Sequence, residues 1–275
     1  MPPPLCLAGL HCAIVGGTGI IGTSIAKTFA HQGAAVTILG RRALQLRPQI
    51  EPELPPCEPD SETPLSHRFI CLDIGDHADI KNVFGPSRLF ESKDRPPGYS
   101  PRDEASRYPE DETVGPLDIL VNCAGIGQAS LLKRTTDLDL ADIVDTNLVA
   151  AMVVSKYAMI QPHGCIINVS SLMANKGGLG ATAYAASKAG LVAFTRVLCL
   201  EMAAKSVRVN ALLPGWVDSH MWTALSPELK EAYLKATPAG RVGDPSEVAH
   251  AALFLASNRF ANNCVLNLDG GLSAY

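Results

Sequence analysis

The chain has no Cys-x-x-Cys pair: its eight cysteines fall at 6, 12, 57, 71, 123, 165, 199 and 264. That spacing excludes a zinc ribbon and offers no disulfide framework. The cysteines are expected as free thiols, several inside apolar strands, in a reducing intracellular compartment. An excess of basic charge is also missing. With 23 Lys and Arg against 27 Asp and Glu, the formal net charge is −4. This supplies no general attraction to nucleic acid or an anionic membrane, and a small molecule is the expected partner. Residues 2–26 contain no Lys, Arg, Asp or Glu, which raises the question of a signal peptide or membrane span. Gly9, Gly16, Gly17, Gly19 and Gly22 interrupt the stretch and no basic segment precedes it. The expectation is a short tail leading into a buried strand and turn, with no membrane span. No acid occurs before Glu51, which is compatible with a mitochondrial targeting bias and leaves mitochondrial matrix and cytoplasm both open. No internal repeat is present.

What the chain does have is enough apolar residue, 47% of 275, to bury the core of one α/β domain spanning 1–275. Short apolar runs at 11–15, 36–39, 69–72, 117–121, 165–169, 207–212 and 265–268 predict seven strands. Helical spacing follows the first of them (Ile21, Ile25, Ala26, Phe29, up to Gly33) and recurs over 138–160, 183–204 and 246–256. The last helix is opened by Asp244 as N-cap and Pro245 at its first position. Continuous apolar strands separated by helices imply a doubly wound, Rossmann-type parallel sheet with helices on both faces. Two segments break the rhythm. Residues 43–66 are rich in Pro and Glu, and residues 85–115 mix Pro, Gly and charge with few apolar anchors. Both are expected as mobile surface insertions, with a partner-docking loop as the alternative for each.

The first strand runs into Gly16-Gly17-Thr18-Gly19-Ile20-Ile21-Gly22. Glycine there permits positive φ and close approach of a pyrophosphate, whose charge is held by the helix N-terminal amides; a tight turn in any α/β protein is the plain alternative. Enzymes selecting NAD place a carboxylate at the end of the second strand to bind the ribose 2′-hydroxyl, whereas this chain has Leu39-Gly40-Arg41-Arg42. Two guanidiniums suit a 2′-phosphate, so NADP(H) is the expected cofactor, against a solvated basic loop start. Of the six tyrosines only Tyr184 has Lys, at 188, four positions later, which puts both on one helix face. A phenol titrates near pH 10 and serves as acid or base near neutrality only if a neighbouring cation stabilises the phenolate, the role expected of Lys188. Ser171 ends the apolar run 166–171 upstream of it.

These motifs together resemble the short-chain dehydrogenase/reductase family and, within it, the 3-oxoacyl-[acyl-carrier-protein] reductases. The likeness spans the chain apart from the two insertions. It includes Asp73-Ile74 after the third strand, which in the family contact adenine, and Asn122-Cys123-Ala124-Gly125, similar to the family's Asn-Asn-Ala-Gly. Asn147 in the long helix, Ser171 thirteen residues before Tyr184, and Pro214-Gly215-Trp216-Val217-Asp218-Ser219 also match, as do Gly240 to Pro245 and the ending Leu268-Asp269-Gly270-Gly271.

The resemblance implies that Ser171 and Tyr184 hold a carbonyl oxygen, that Tyr184 delivers the proton, and that Lys188 holds the nicotinamide ribose. It implies that Asn147 positions a water that resupplies the proton, that Val217 and Ser219 hold the carboxamide, and that residues 219–240 form a mobile lid. A homotetramer built through the long helices and the C-terminal region is implied too, with Leu191, Val192, Phe194 and Leu198 facing either a partner helix or the sheet. Departures are Val15 for the family's first-strand Thr, glycines at 16, 19 and 22 as in the extended branch, and Pro162 where a basic residue at the active-site mouth is usual, while Lys205 fills another such place. The implied activity is NADPH-dependent reduction of a 3-oxoacyl thioester on acyl carrier protein or CoA in fatty acid synthesis. The alternatives are a free ketone or quinone as substrate, and a non-catalytic NADP-binding subunit.

Overall fold

The computed structural model describes residues 7–57, 66–85 and 113–274. Its centre is one seven-stranded, all-parallel sheet in the order β3-β2-β1-β4-β5-β6-β7. The strands are β1 His11–Val15, β2 Ala35–Leu39, β3 Arg68–Ile70, β4 Leu117–Asn122, β5 Ile160–Val169, β6 Arg208–Pro214 and β7 Val265–Leu268. Alternation along β1 divides the core: Cys12 and Ile14 face one layer, Ala13 and Val15 the other, as the period of two dictates. On the first face pack α1 Ile20–His31, α2 Ala43–Ile50 and α9 Pro245–Ser257. On the second pack α3 His77–Phe84, α5 Ala150–Tyr157 and α6 Thr182–Glu201. Side chains such as Phe29, Ile38 and Ile166 are fully buried, each stabilising the fold by roughly 1.5–3 kcal/mol.

Strand order reverses between β1 and β4, so the crevice above their C-terminal ends is where a doubly wound sheet binds its ligand. Three readings of the sequence change. The segment 43–66 is not a mobile insertion at its start: residues 43–53 form α2 and a 3₁₀ turn, Glu51–Glu53. Ala43, Ile50 and Leu54 are buried and Leu46 packs beside them, so helical spacing survives Pro48 inside the helix. Residues 58–65 of that segment and 86–112 of the second insertion lie outside the described residues. The second insertion's described end is anchored, because Val114 is buried and its N–H donates to the Val83 carbonyl at 2.9 Å. The helix expected over 138–160 is three pieces: α4 Asp137–Val144, a π turn Asp145–Val149, and α5, after which β5 already begins at Ile160.

Leu191, Val192 and Leu198 on α6 are buried within the chain and do not face outward; Val197 and Leu200 do. Among the described residues α6 is the one helix long and apolar enough to cross a membrane, and here it packs along β6. The expected lid region holds two short helices, α7 His220–Thr223 and α8 Pro227–Ala236.

Candidate active site

The β1–α1 turn is built for close approach. Gly16 has φ +80°, and a Cβ there would stand 2.6 Å from the Ala124 backbone nitrogen; a Cβ on Gly22 would collide with the Gly16 carbonyl. Gly19 differs: it is the N-cap of α1, no side chain caps the helix and its first turn holds no acid. A Cβ on Gly19 would meet nothing nearer than the Gly16 carbonyl at 3.4 Å, so this side of the turn is open; the Gly19 N–H itself donates to the Gly16 carbonyl at 3.0 Å, and the N–H groups of the first helical residues, Ile20 and Ile21, are the ones an α-helix leaves for a phosphate. Thr18 lies against Gly40, and Ile21 gives its side chain to the core, leaving its N–H for a ligand. Arg41 and Arg42 follow Gly40 and are exposed. No carboxylate among the described residues pairs with either. Asp73 is exposed and one of its carboxylate oxygens accepts from Gly75 N–H at 3.1 Å. Ile74 is half-buried next to it and contacts the second core layer. An open helix terminus, glycines where a Cβ would collide, and two guanidiniums at the end of β2 that pair with no carboxylate among the described residues together fit a dinucleotide carrying a 2′-phosphate.

Beyond β4 the chain enters Cys123-Ala124-Gly125. Gly125 is squeezed: a Cβ would stand 3.0 Å from Asn147 Oδ1 and 3.2 Å from Lys188 Nζ. Asn147 lies within the π turn and is 1% exposed. Its Oδ1 accepts from Ile126 N–H at 2.8 Å, and its Nδ2 donates to the Ile126 carbonyl at 2.9 Å and to Ser187 Oγ at 3.1 Å. The side-chain amide thereby holds the Gly125–Ile126 loop in place. Asn122 is an internal brace: its Nδ2 donates to Asn168 Oδ1 at 2.9 Å, and Asn168 donates on to Thr195 Oγ1 of α6 at 2.9 Å. Buried polar groups linked in this way lock β4, β5 and α6 together.

Ser171, Tyr184 and Lys188 converge above β5. Ser171 is buried and its Oγ accepts from Met173 N–H at 3.2 Å. The Ser171 hydroxyl also acts on the phenol of Tyr184 and favours its ionised form. Lys188 is 4% exposed; its Nζ donates to the Val169 carbonyl at 2.9 Å and lies 5.9 Å from the Tyr184 ring centroid. Burial pulls the ammonium down to about 8. Burial also raises Tyr184 above the ordinary phenol value, with the Ser171 hydrogen bond opposing. Lys188 is close, as the sequence required, and one of its N–H groups is taken by Val169; burial is the larger influence on the phenol. Tyr184 therefore keeps its phenol proton at neutral pH. Cys123 beside Lys188 is pushed up to about 11 by burial and stays a thiol.

After β6, Pro214 pairs with Leu268, and a Cβ on Gly215 would collide with Asp269. Val217 is buried and bridges to Gly243. Ser219 is the N-cap of α7 and its hydroxyl makes no capping bond. Two residues without a sequence signal join the site. Gln128 bonds to the start of α6, and Met221 of α7 lies 3.6 Å from where a Gly127 Cβ would be. Ile126, Leu131, Leu132, Leu179 and Met221 leave apolar surface exposed on these neighbouring loops.

A family model described as Enoyl-(Acyl carrier protein) reductase matches residues 110–273. The 3-oxoacyl-[acyl-carrier-protein] reductase FabG of Chlamydia muridarum is 35% identical over 267 residues, covering 94% of this chain and 96% of that one. The chain belongs to the short-chain dehydrogenase/reductase family. The 3-oxoacyl-[acyl-carrier-protein] reductase of Mus musculus is 34% identical over 264 residues, covering 95% of this chain and 97% of that one. Among solved structures, an Agrobacterium Tumefaciens protein provisionally assigned as a 2-deoxy-d-gluconate 3-dehydrogenase, with NADP bound, superposes with TM-score 0.78 at 27% identity, covering 99% of this chain and 100% of that one. As a member of this family the chain is an oxidoreductase of carbonyl/CH–OH groups that uses NADP(H).

Proposed function

We propose that this chain reduces the ketone of a 3-oxoacyl thioester, carried on acyl carrier protein or CoA, to the 3-hydroxyacyl form. The observation that carries the reading is the meeting of Ser171, Tyr184 and Lys188 over the ends of the sheet. The substrate class is supported by the curated relatives named for 3-oxoacyl thioesters and by the apolar residues exposed on the surrounding loops, which suit an acyl chain. NADPH supplies a hydride when bound, held by Gly16, Thr18, Gly19, Ile21 and Gly22 at the pyrophosphate, Arg41 and Arg42 at the 2′-phosphate, and Asp73 and Ile74 at the adenine. Asn122, Ala124 and Gly125 shape the floor of the crevice, and Lys188, Pro214, Gly215, Val217 and Ser219 hold its nicotinamide end.

The residues of the chain perform the proton chemistry. Ser171 Oγ and the Tyr184 phenol donate to the carbonyl oxygen and stabilise the charge that develops there. Tyr184, protonated because burial favours its neutral form, passes its proton to that oxygen. Lys188, with its pKa near 8, returns a proton to the phenol and takes up another from solvent close to neutrality, through a water that Asn147 would position. Exposed Val197 and Leu200 on α6 support association with further copies of the chain.

A free small ketone or quinone is the second reading, favoured by Pro162 standing in this sequence where carrier-protein reductases tend to present a basic residue. Following NADPH oxidation with acetoacetyl-CoA, cyclic ketones and quinones tests both. Thioester turnover well above that of the ketones is expected, and the reverse order transfers the assignment to a free ketone.

A further inference from the structure

The helix that carries Tyr184 begins without a cap of its own. Its N-cap position is Ala181, which has no side-chain acceptor, and the first turn holds no acid. Tyr184 is the third residue of this helix, so its own N–H is among those an α-helix leaves unpaired. A first turn in that condition frays, and a frayed first turn moves the phenol.

The missing acceptor arrives from far along the chain. Gln128 Oε1 accepts from Ala183 N–H at 2.8 Å and Tyr184 N–H at 3.2 Å, the two amides that an N-cap side chain serves. Its Nε2 donates to the Ser130 carbonyl at 3.0 Å, Thr135 Oγ1 at 3.2 Å and Thr182 Oγ1 at 3.3 Å. Because both helix amides are donors, only the orientation with oxygen toward α6 satisfies the group. The loop bearing Gln128 is itself fixed: Asn147 grips Ile126 through both its amide atoms, and Ser130 N–H donates to the Gly180 carbonyl at 3.2 Å. Ser187 Oγ receives Asn147 and donates to the Tyr184 carbonyl at 2.8 Å.

We infer that Gln128 is a positioning residue for catalysis, the surrogate N-cap that holds Tyr184 against Ser171. Its side-chain hydrogen bonds all go to its own loop and to the start of α6, so it acts through Tyr184. The inference rests on Tyr184 being the proton donor. Lys188 lies a full turn further on and is anchored independently by Val169, so loss of the cap displaces the phenol and leaves the cofactor side in place. The consequence is a split: turnover falls while NADPH affinity holds.

The test uses Gln128→Met, which keeps length and removes both polar functions, and Gln128→Glu, which keeps the acceptor and suits the positive end of the helix. With acetoacetyl-CoA as substrate, Gln128→Met is expected to lose roughly 10- to 100-fold in kcat, the scale of an ångström-sized misplacement, with KM for NADPH little changed. Gln128→Glu is expected to recover most of that loss. Equal kcat in wild type and Gln128→Met, a Gln128→Glu as poor as Gln128→Met, or kcat and NADPH affinity falling together would each overturn the inference. Amide hydrogen exchange on the unaltered protein tests it without any variant: the Ala183 and Tyr184 amides are expected to be as protected as the α6 interior, and exchange at loop rates refutes the cap. A wild type that turns over no carbonyl defeats the proposed function instead, and is distinguishable from every outcome above.

Discussion

Lys188 Nζ donates to the carbonyl of Val169, the last residue of β5, at 2.9 Å, and so is tied to the strand end that leads into Ser171. The contact sets the electrostatics of the site. An ammonium held there is out of water, and its pKa falls to about 8.

The first prediction is that Lys188 costs the folded chain stability. Its folded pKa lies below its unfolded value of 10.5, so between about pH 8 and 10.5 the unfolded state binds more protons and stability rises with pH. Below pH 8 the penalty is fully present, roughly 3 kcal/mol from the size of the shift. Lys188→Met in cofactor-free protein is therefore expected to unfold at higher urea than wild type at pH 7, with the difference shrinking toward pH 10, while carbonyl reduction is lost. Urea titrations at several pH values measure it; a variant less stable than wild type at pH 7 contradicts it.

Arg41 and Arg42 have no carboxylate partner among the described residues and face outward beside Gly40. Replacing both with Ala is expected to weaken NADPH by about 10- to 100-fold, the worth of one or two charge-assisted hydrogen bonds, and to leave NADH unchanged. Fluorescence titration with both dinucleotides reads the difference, and equal losses would show that the pair does not bind the 2′-phosphate.

Two glycines of one turn are expected to respond oppositely to Ala. Gly16→Ala forces a Cβ onto Ala124 at positive φ and is expected to destabilise the chain by more than about 2 kcal/mol. Gly19→Ala meets nothing closer than 3.4 Å and is expected to keep the melting temperature while reducing NADPH affinity, because its Cβ enters the phosphate side. Thermal melts paired with cofactor titration separate the two effects.

The sheet was legible because parallel strands buried on both faces must be continuously apolar, as in 11–15 and 165–169, and because glycine turns mark where strand becomes helix. α2 was hidden by Pro48 and the prolines after Glu51, although Ala43, Leu46, Ile50 and Leu54 keep helical spacing. The early start of β5 was hidden by Gln161-Pro162-His163-Gly164, where His163 has φ +67° and the pairing with β4 shifts register. Ser171, Tyr184 and Lys188 were readable from spacing. The dominance of burial over charge at Tyr184 was not, since desolvation depends on what closes over a side chain. Gln128 gave no local signal because the helix it caps starts more than fifty residues later.

The central claim is proton delivery by the phenol of Tyr184, and Tyr184→Phe tests it most directly because the ring stays and only the hydroxyl goes. NADPH oxidation with acetoacetyl-CoA is expected to fall by roughly 10²- to 10⁴-fold, the range for loss of a general acid, with NADPH binding intact. Turnover equal to wild type in that variant would contradict the account.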